Sequence, residues 1–122
     1  MEFKHEAIFC IVNSGYSEMV MDAAKKLGAR GGTVINARGT ASKAAENFFH
    51  ITVTPEKEIV MILVPTKIKD AVMHALYKEV GLETAGQGIA FSVPVDNVVG
   101  LTEETPVSVP TENNKQLRIK EV

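Results

Sequence analysis

Histidine and cysteine side chains are the first candidates for catalysis or metal binding in this sequence. The histidines are His5, His50 and His74, and Cys10 is the one cysteine. None stands at a spacing typical of metal ligands, and Cys10 lies inside an apolar segment, where a thiol usually serves packing. The chain also lacks a serine-nucleophile elbow, a Walker phosphate-binding sequence and a zinc-protease motif. We therefore expect no catalytic residue, no metal site and no required cofactor.

Glycines gather in two stretches that are more informative. One group flanks a predicted strand, and the other precedes the last predicted strand. Glycine permits positive φ and lets a ligand approach backbone N–H groups, which together can cradle a phosphate or another anion. Arg38 and Lys43 carry positive charge near the first group. Two interpretations remain open: an anion site served by these cations, or tight turns beside solvated side chains. The glycines are Gly28, Gly31, Gly32 and Gly39 in the first group and Gly86 and Gly88 in the second.

Residues 40–50 (TASKAAENFFH) are a second candidate functional segment. They show neither strand nor turn signals and are long for a connection in so small a domain. Phe48 and Phe49 make an apolar pair within them. An exposed pair in a loop would mark a surface for a protein partner, whereas a buried pair would begin the next strand. Both interpretations stay open at this point.

The sequence predicts two helices and several strands that position these residues. A helical periodicity begins at Ser17, the predicted N-cap, and stops at Gly28, and a second begins after Pro65 and stops at Gly81. The first apolar run is continuous, which is typical of a strand buried on both faces. Apolar runs predict strands at residues 7–12, 33–38, 51–54, 59–64 and 89–95.

Two βαβ units that interleave their strands give an α+β fold of the ferredoxin-like class, a split βαβ sandwich in the order βαββαβ. Its four-stranded antiparallel sheet carries both helices on one face. Because no later segment is long enough to cover the other face, we expect a homo-oligomer built sheet against sheet. Residues 1–100 are assigned to this domain, and residues 101–122 to a C-terminal tail with a small strand at 106–109.

Length and composition favour one globular domain. The chain has 122 residues, 45% of them hydrophobic, with 13 Lys and Arg against 15 Asp and Glu. The net charge of −2 gives no reason to expect a nucleic-acid partner. No apolar run reaches the roughly 18 residues that cross a bilayer. The N-terminus lacks a secretory signal, and a single cysteine fits a reducing compartment, so we expect a cytoplasmic protein.

Residues 28–39 (GARGGTVINARG) resemble the segment that follows the first helix in PII signal-transduction proteins. In that family the segment leads through a strand to a basic residue and a glycine at the base of the T-loop. Residues 84–91 (TAGQGIAF) resemble the B-loop and the strand beyond it, and the strand ending in Val64 and Pro65 matches the third strand. The resemblance covers about residues 5–100. It implies a homotrimer that binds adenine nucleotides in clefts between neighbours and docks its T-loop on a membrane transporter or a metabolic enzyme.

Carried over position by position, the resemblance implies three sets of ligand-binding residues. One set would line the base pocket, the second would form the root of the T-loop, and the third would offer backbone to phosphates. The T-loop equivalent is residues 40–50, with Lys43, Phe48 and Phe49 available to a partner. The three sets are Gly31, Gly32 and Thr33; then Arg38, Gly39 and Thr40; and finally Gly86, Gln87 and Gly88.

Several features of the family are missing from this chain. The T-loop equivalent is several residues short and has no tyrosine, Ile89 stands where the B-loop carries a lysine, and Gln87 replaces its acidic residue. Met61 replaces the carboxylate of the third strand, and residues 96–101 lack the usual arginine pair. Each lost charge-assisted contact is worth about 1.5–3 kcal/mol. AMP, ADP or another small anion therefore fits better than ATP, and sensing of 2-oxoglutarate is not expected.

The sequence thus favours a non-enzymatic PII-like regulator whose loop is ordered by an effector, with AMP, ADP and ATP as the candidates. Two alternatives share the architecture. One is a CutA-like trimer that binds a metal or serves a structural role. The other is a small enzyme of the dimeric α+β barrel kind, for which His50 is the candidate catalytic residue.

Overall fold

The structure, a computed structural model, describes residues 2–40, 47 and 55–101. Within them the elements are β1 His5–Asn13, α1 Ser17–Lys25, β2 Gly32–Arg38, β3 Glu56–Pro65, α2 Thr66–Val80 and β4 Ile89–Val95. The strands predicted at 51–54 and 106–109 lie outside the described residues. So do most of the segment 40–50 and the tail from residue 102 onward.

These strands form one antiparallel sheet in the order β2-β3-β1-β4. The two central strands, β1 and β3, pair with each other along their length, so that Ile8 lies opposite Ile62. β2 pairs with the outer side of β3, and β4 with the outer side of β1. The order and directions confirm the predicted ferredoxin-like βαββαβ fold, and they make β2 and β4 the two opposite edges of the sheet.

Burial alternates along the central strands. In β1, Ile8, Cys10 and Val12 are buried, while Phe9 and Ile11 between them are partly exposed. The two helices pack on the buried side, and no element of the described chain covers the other side. The prediction that the first strand is buried on both faces is therefore wrong for a single chain. The rest of the core on the helix side consists of Val20, Ala23, Ala24, Ala29, Val60, Ile62, Val64, Val72, Leu76 and Val80.

Helix α1 begins without a side-chain cap from its own segment. The predicted N-cap Ser17 is the first helical residue, and Tyr16 occupies the N-cap position. Glu58 of β3 supplies the acceptor instead, because its Oε1 lies 3.2 Å from the backbone nitrogens of both Gly15 and Ser17. A carboxylate is stabilising there, since the unpaired N–H groups of a helix N-terminus carry partial positive charge. The contact ties the start of β3 to α1.

Cys10 gives the fold a testable pH dependence, because burial raises the pKa of its thiol to about 11 from an ordinary value of 9.0. A pKa raised in the folded state means that ionisation favours unfolding, so stability is intact below pH 9 and falls as the pH approaches 11. Over that range we expect the wild-type free energy of unfolding to fall by about 2 kcal/mol more than that of Cys10→Ala. Denaturant titrations of both proteins check this, and parallel pH curves would contradict it.

Candidate functional site

The root of the connection between β2 and β3 lies at one end of the sheet. Arg38, the last residue of β2, is paired with Glu56, the first residue of β3. The N–H of Gly39 donates to the carbonyl of Pro55 over 2.8 Å. These contacts hold the two ends of the connection 40–54 side by side, and the side chain of Arg38 is exposed there.

The loop of residues 84–88 reaches the same end of the sheet from the opposite edge. The backbone N–H of Asn13, the last residue of β1, donates to the carbonyl of Gly86 over 2.9 Å. The side-chain Nδ2 of Asn13 donates to the carbonyl of Ala85 over 3.0 Å. Two of the three predicted ligand-binding sets therefore share one end of the sheet, with the ends of β1 and β3 between them.

Lys57 lies between these two sets, although it was not among the predicted site residues. Its Nζ donates to Oδ1 of Asn13 over 2.7 Å. A Cβ atom on Gly39 would lie 3.3 Å from Cε of Lys57, so the glycine leaves room for the lysine side chain. The predicted strand 59–64, which is β3 in the structure, starts two residues after Lys57, so the prediction left Lys57 outside the sheet. In the structure Lys57 pairs with Ala37 of β2. A prediction of the register between β2 and β3 would therefore have placed Lys57 at the root of the connection.

The backbone N–H groups of Gly86, Gln87 and Gly88, the predicted phosphate contacts, are engaged within the chain. The N–H of Gly86 donates to Oγ1 of Thr84 over 3.2 Å, and that of Gln87 to the carbonyl of Thr84 over 3.0 Å. The N–H of Gly88 donates to the carbonyl of Val80. In this conformation none of the three is free for a phosphate, so an anion would have to displace these internal acceptors.

Close packing accounts for the two glycines of this loop. A Cβ atom on Gly88 would lie 2.5 Å from the carbonyl oxygen of Val80 and 3.0 Å from Cγ1 of Val12, and one on Gly86 would lie 3.3 Å from Cβ of Val80. The residue with positive φ is Gln87, at 48°. That left-handed conformation costs a non-glycine residue about 1–2 kcal/mol. Space, and not a backbone conformation reserved for glycine, is therefore what Gly86 and Gly88 provide.

The remaining predicted set lies far from the other two in a single copy of the chain. Gly31, Gly32 and Thr33 stand at the start of β2, and Thr33 is about 17 Å from Arg38 along the strand. Because β2 and β4 are opposite edges, the set is also about 14 Å from loop 84–88 across the sheet. One chain alone does not bring this set against the loop.

The face of the sheet opposite the helices is apolar, and we call it the open face. On it Phe9 of β1 and Phe91 of the edge strand β4 stack with their ring centroids 5.3 Å apart. Phe91 is 46% exposed and Ile89 is 54% exposed. A contiguous apolar surface of this kind is typical of a protein–protein interface. The open face comprises Ala7, Phe9, Ile11, Ile35, Ile59, Met61, Leu63, Ile89, Phe91 and Val93.

The part of the chain that the structure describes contains no group of three His, Cys, Asp or Glu side chains placed to hold a metal ion. His5 pairs with Pro65, at the opposite end of the sheet from Asn13. The predicted partner residues Lys43, Phe48 and Phe49, together with His50, lie outside the described residues. Over the same described ranges, no helix combines the length and the apolar character needed to cross a membrane.

Comparisons with known proteins agree with this geometry. The sequence model of the family described as nitrogen regulatory protein P-II matches residues 5–105. A search of curated protein sequences gave no match. Arabidopsis thaliana PII bound to citrate is similar in structure, with a TM-score of 0.60, 24% identity and 82% of each chain covered. The B. subtilis GlnK–ATP complex is similar with a TM-score of 0.64 and 19% identity, over 81% of this chain and 88% of the other. Both structures share the fold.

Proposed function

The chain belongs to the nitrogen regulatory protein P-II family, and on that premise we propose that it is a regulator without enzymatic activity. Its effector is a small anion, with AMP, ADP and ATP as the candidates. Binding of the effector changes the conformation of residues 40–50, the T-loop equivalent. These residues signal to a membrane transporter or a metabolic enzyme through Lys43, Phe48 and Phe49. The protein acts in the cytoplasm.

The observation that carries the proposal is the position of two cations at the root of this connection. Arg38 precedes the connection and Lys57 follows it, and their strands are adjacent in the sheet. Because Arg38 pairs with Glu56 and Lys57 with Ala37, their side chains start on opposite faces of the sheet. An anion held by either one would contact one end of the segment. Its affinity would then differ between conformations of the segment, which is what a ligand needs in order to shift their populations.

We place the complete site between copies of the chain. Because Gly31–Thr33 lie far from loop 84–88 in one copy, a neighbour must supply one of the two sets if both contact the same ligand. The open face gives the copies an apolar surface to share. The assembly we propose is a homotrimer, as the resemblance to PII proteins implies, with one site in each of its three clefts.

The charge of the site favours an effector with few phosphate groups. The two solved structures contain ATP in one case and citrate in the other, so proteins of this fold bind anions of different shapes. In this chain Arg38 and Lys57 are the cations at the root, Ile89 offers none, and the N–H groups of Gly86 to Gly88 are already engaged. AMP or ADP should therefore bind more tightly than ATP.

Arg38→Ala tests the proposed site. Loss of one charge-assisted hydrogen bond, worth about 1.5–3 kcal/mol, should weaken nucleotide binding by about tenfold to a hundredfold. The measurement is native mass spectrometry of wild type and variant, alone and with AMP, ADP and ATP in turn. Wild type should appear as a trimer that takes up as many as three nucleotides, and Arg38→Ala as a trimer that takes up fewer.

Lys67→Ala is the matched control, because it removes an exposed cation from the first turn of α2, at the far end of the sheet. It should bind nucleotide as wild type does. A wild-type trimer that ignores all three nucleotides contradicts the choice of effector. Equal affinity in Arg38→Ala and wild type contradicts the placement of the site at this root.

A further inference from the structure

Asn13 makes hydrogen bonds toward both sides of the candidate site. Its Oδ1 accepts a hydrogen bond from Nζ of Lys57 over 2.7 Å. Its Nδ2 donates to the carbonyl of Ala85 over 3.0 Å and, more weakly, to Oε1 of Gln87 over 3.5 Å. Its backbone N–H donates to the carbonyl of Gly86 over 2.9 Å. One residue at the end of β1 thus holds the loop 84–88 on one side and the lysine at the root of the connection on the other.

The residue type at position 13 follows from these two partners. A lysine ammonium only donates hydrogen bonds, and a peptide carbonyl only accepts them. A side chain that joins Lys57 to Ala85 must accept at one atom and donate at another, as a carboxamide does. A carboxylate would accept at both oxygens, and alanine would do neither. The same argument fixes the orientation of the Asn13 amide, because the flipped amide would place a donor against each donor and an acceptor against each acceptor.

We propose that Asn13 is a positioning residue that couples Lys57 to loop 84–88. Whether the lysine ammonium is bonded to Asn13 then controls how firmly the loop is held. Lys57 packs beside Gly39 at the root of the connection. Among the hydrogen bonds and ion pairs of the described residues, it reaches the loop through Asn13 alone. The coupling itself is a property of the ligand-free protein.

Its regulatory use rests on the proposed function. An anionic effector that binds Lys57 competes with the neutral Oδ1 of Asn13 for the ammonium, and an anion is the stronger acceptor. Once the lysine turns to the effector, the Asn13 side chain loses the contact of its Oδ1 and keeps only those of its Nδ2 to the loop. The loop 84–88 is then held less firmly, so occupancy at the root of the connection is transmitted to the opposite edge of the sheet.

Hydrogen exchange in the ligand-free protein tests the coupling. Lys57→Met keeps an aliphatic side chain beside Gly39 but removes the ammonium. The amides of Asn13 and of loop 84–88 should then exchange about fivefold faster, the effect of losing about one side-chain hydrogen bond. Lys67→Met, at the far end of the sheet, is the matched control and should leave these amides unchanged. Unchanged exchange in Lys57→Met overturns the proposal.

A second pair of variants separates this coupling from a general loss of stability. Asn13→Ala removes all three side-chain hydrogen bonds, so the loop should exchange faster, and the addition of Lys57→Met should cause no further acceleration. Asn13→Asp keeps an acceptor for Lys57 but loses the donor to Ala85, and its loop should also exchange faster. If Lys57→Met accelerates exchange as much in the Asn13→Ala background as in wild type, the coupling does not run through Asn13.

Addition of nucleotide distinguishes failure of the coupling from failure of the proposed function. If AMP, ADP and ATP all fail to bind, the proposed effector is wrong, and the ligand-free exchange data still decide the coupling. If one of them binds, its saturation should speed exchange at the Asn13 amide in wild type. Slower or unchanged exchange at that amide would overturn the regulatory use of the coupling.

Discussion

Phe91→Lys is expected to be a monomer under conditions in which wild type forms the proposed trimer. Phe91 lies on the open face in the middle of the edge strand β4, stacked on Phe9 of β1. If the copies associate through this face, the substitution would bury an unpaired ammonium in an apolar contact once per copy. An unpaired buried charge costs several kcal/mol, which is enough to separate the subunits. Sedimentation velocity or light scattering would report the change in mass.

Tyr77→Lys is the matched control for this substitution. Tyr77 is 69% exposed on α2, on the helix side of the sheet, whereas Phe91 is 46% exposed. A general effect of exchanging an aromatic residue for lysine would therefore appear in both variants, while an effect of the interface would appear in Phe91→Lys alone. Circular dichroism should show that both variants are folded. If Phe91→Lys keeps the wild-type mass, the open face is not the interface.

The same variant links assembly to ligand binding. Because one chain does not bring Gly31–Thr33 against loop 84–88, a monomer should lose the part of the site that its neighbour supplies. A folded Phe91→Lys monomer should therefore bind nucleotide more weakly than wild type, although its own Arg38 and Lys57 are intact. Unchanged affinity in that monomer would place the whole site within one chain.

Most of the fold could be predicted from local sequence, because the continuous apolar runs and the glycines that end each helix mark the elements. The boundaries that were missed depend on tertiary contacts. β3 begins at Glu56, three charged residues before its first apolar residue, Ile59. It extends this far because the edge strand β2 pairs with it there. Likewise, Ser17 has the residue type of an N-cap, but a carboxylate from β3, that of Glu58, takes over the role.

The candidate site was harder to predict from the sequence. A glycine indicates that a side chain is absent, but it does not indicate which neighbouring residue fills the space. Gly86 and Gly88 stand out in the sequence, yet the neighbours that explain them, Val80 and Val12, come from other elements. Lys57 and Asn13 were missed for a related reason. Neither belongs to a motif, and their contact depends on the register of β1 against β3, in which they are direct partners.

Gly88→Ala is expected to lower the free energy of unfolding by about 1–3 kcal/mol, the usual cost of overpacking a filled space. The added methyl group would lie 2.5 Å from the carbonyl oxygen of Val80 and 3.0 Å from Cγ1 of Val12. Neither neighbour is a flexible side-chain end: one is backbone at the end of α2, and the other is a buried β-branched residue with a restricted χ1. The loop must therefore shift, and with it the pairing of Gly88 with Gly81.

Gly31→Ala provides the comparison, because no heavy atom lies within 4 Å of a Cβ built on Gly31. Its stability should equal that of wild type or exceed it by about 0.4–1 kcal/mol, since alanine reduces the entropy of the unfolded chain. Denaturant titration of the two variants measures the difference. Equal stabilities would mean that loop 84–88 does not pack tightly against the end of α2. The N–H of Gly88, which donates to Val80, would then be open to a phosphate, whereas those of Gly86 and Gln87 would stay bonded to Thr84.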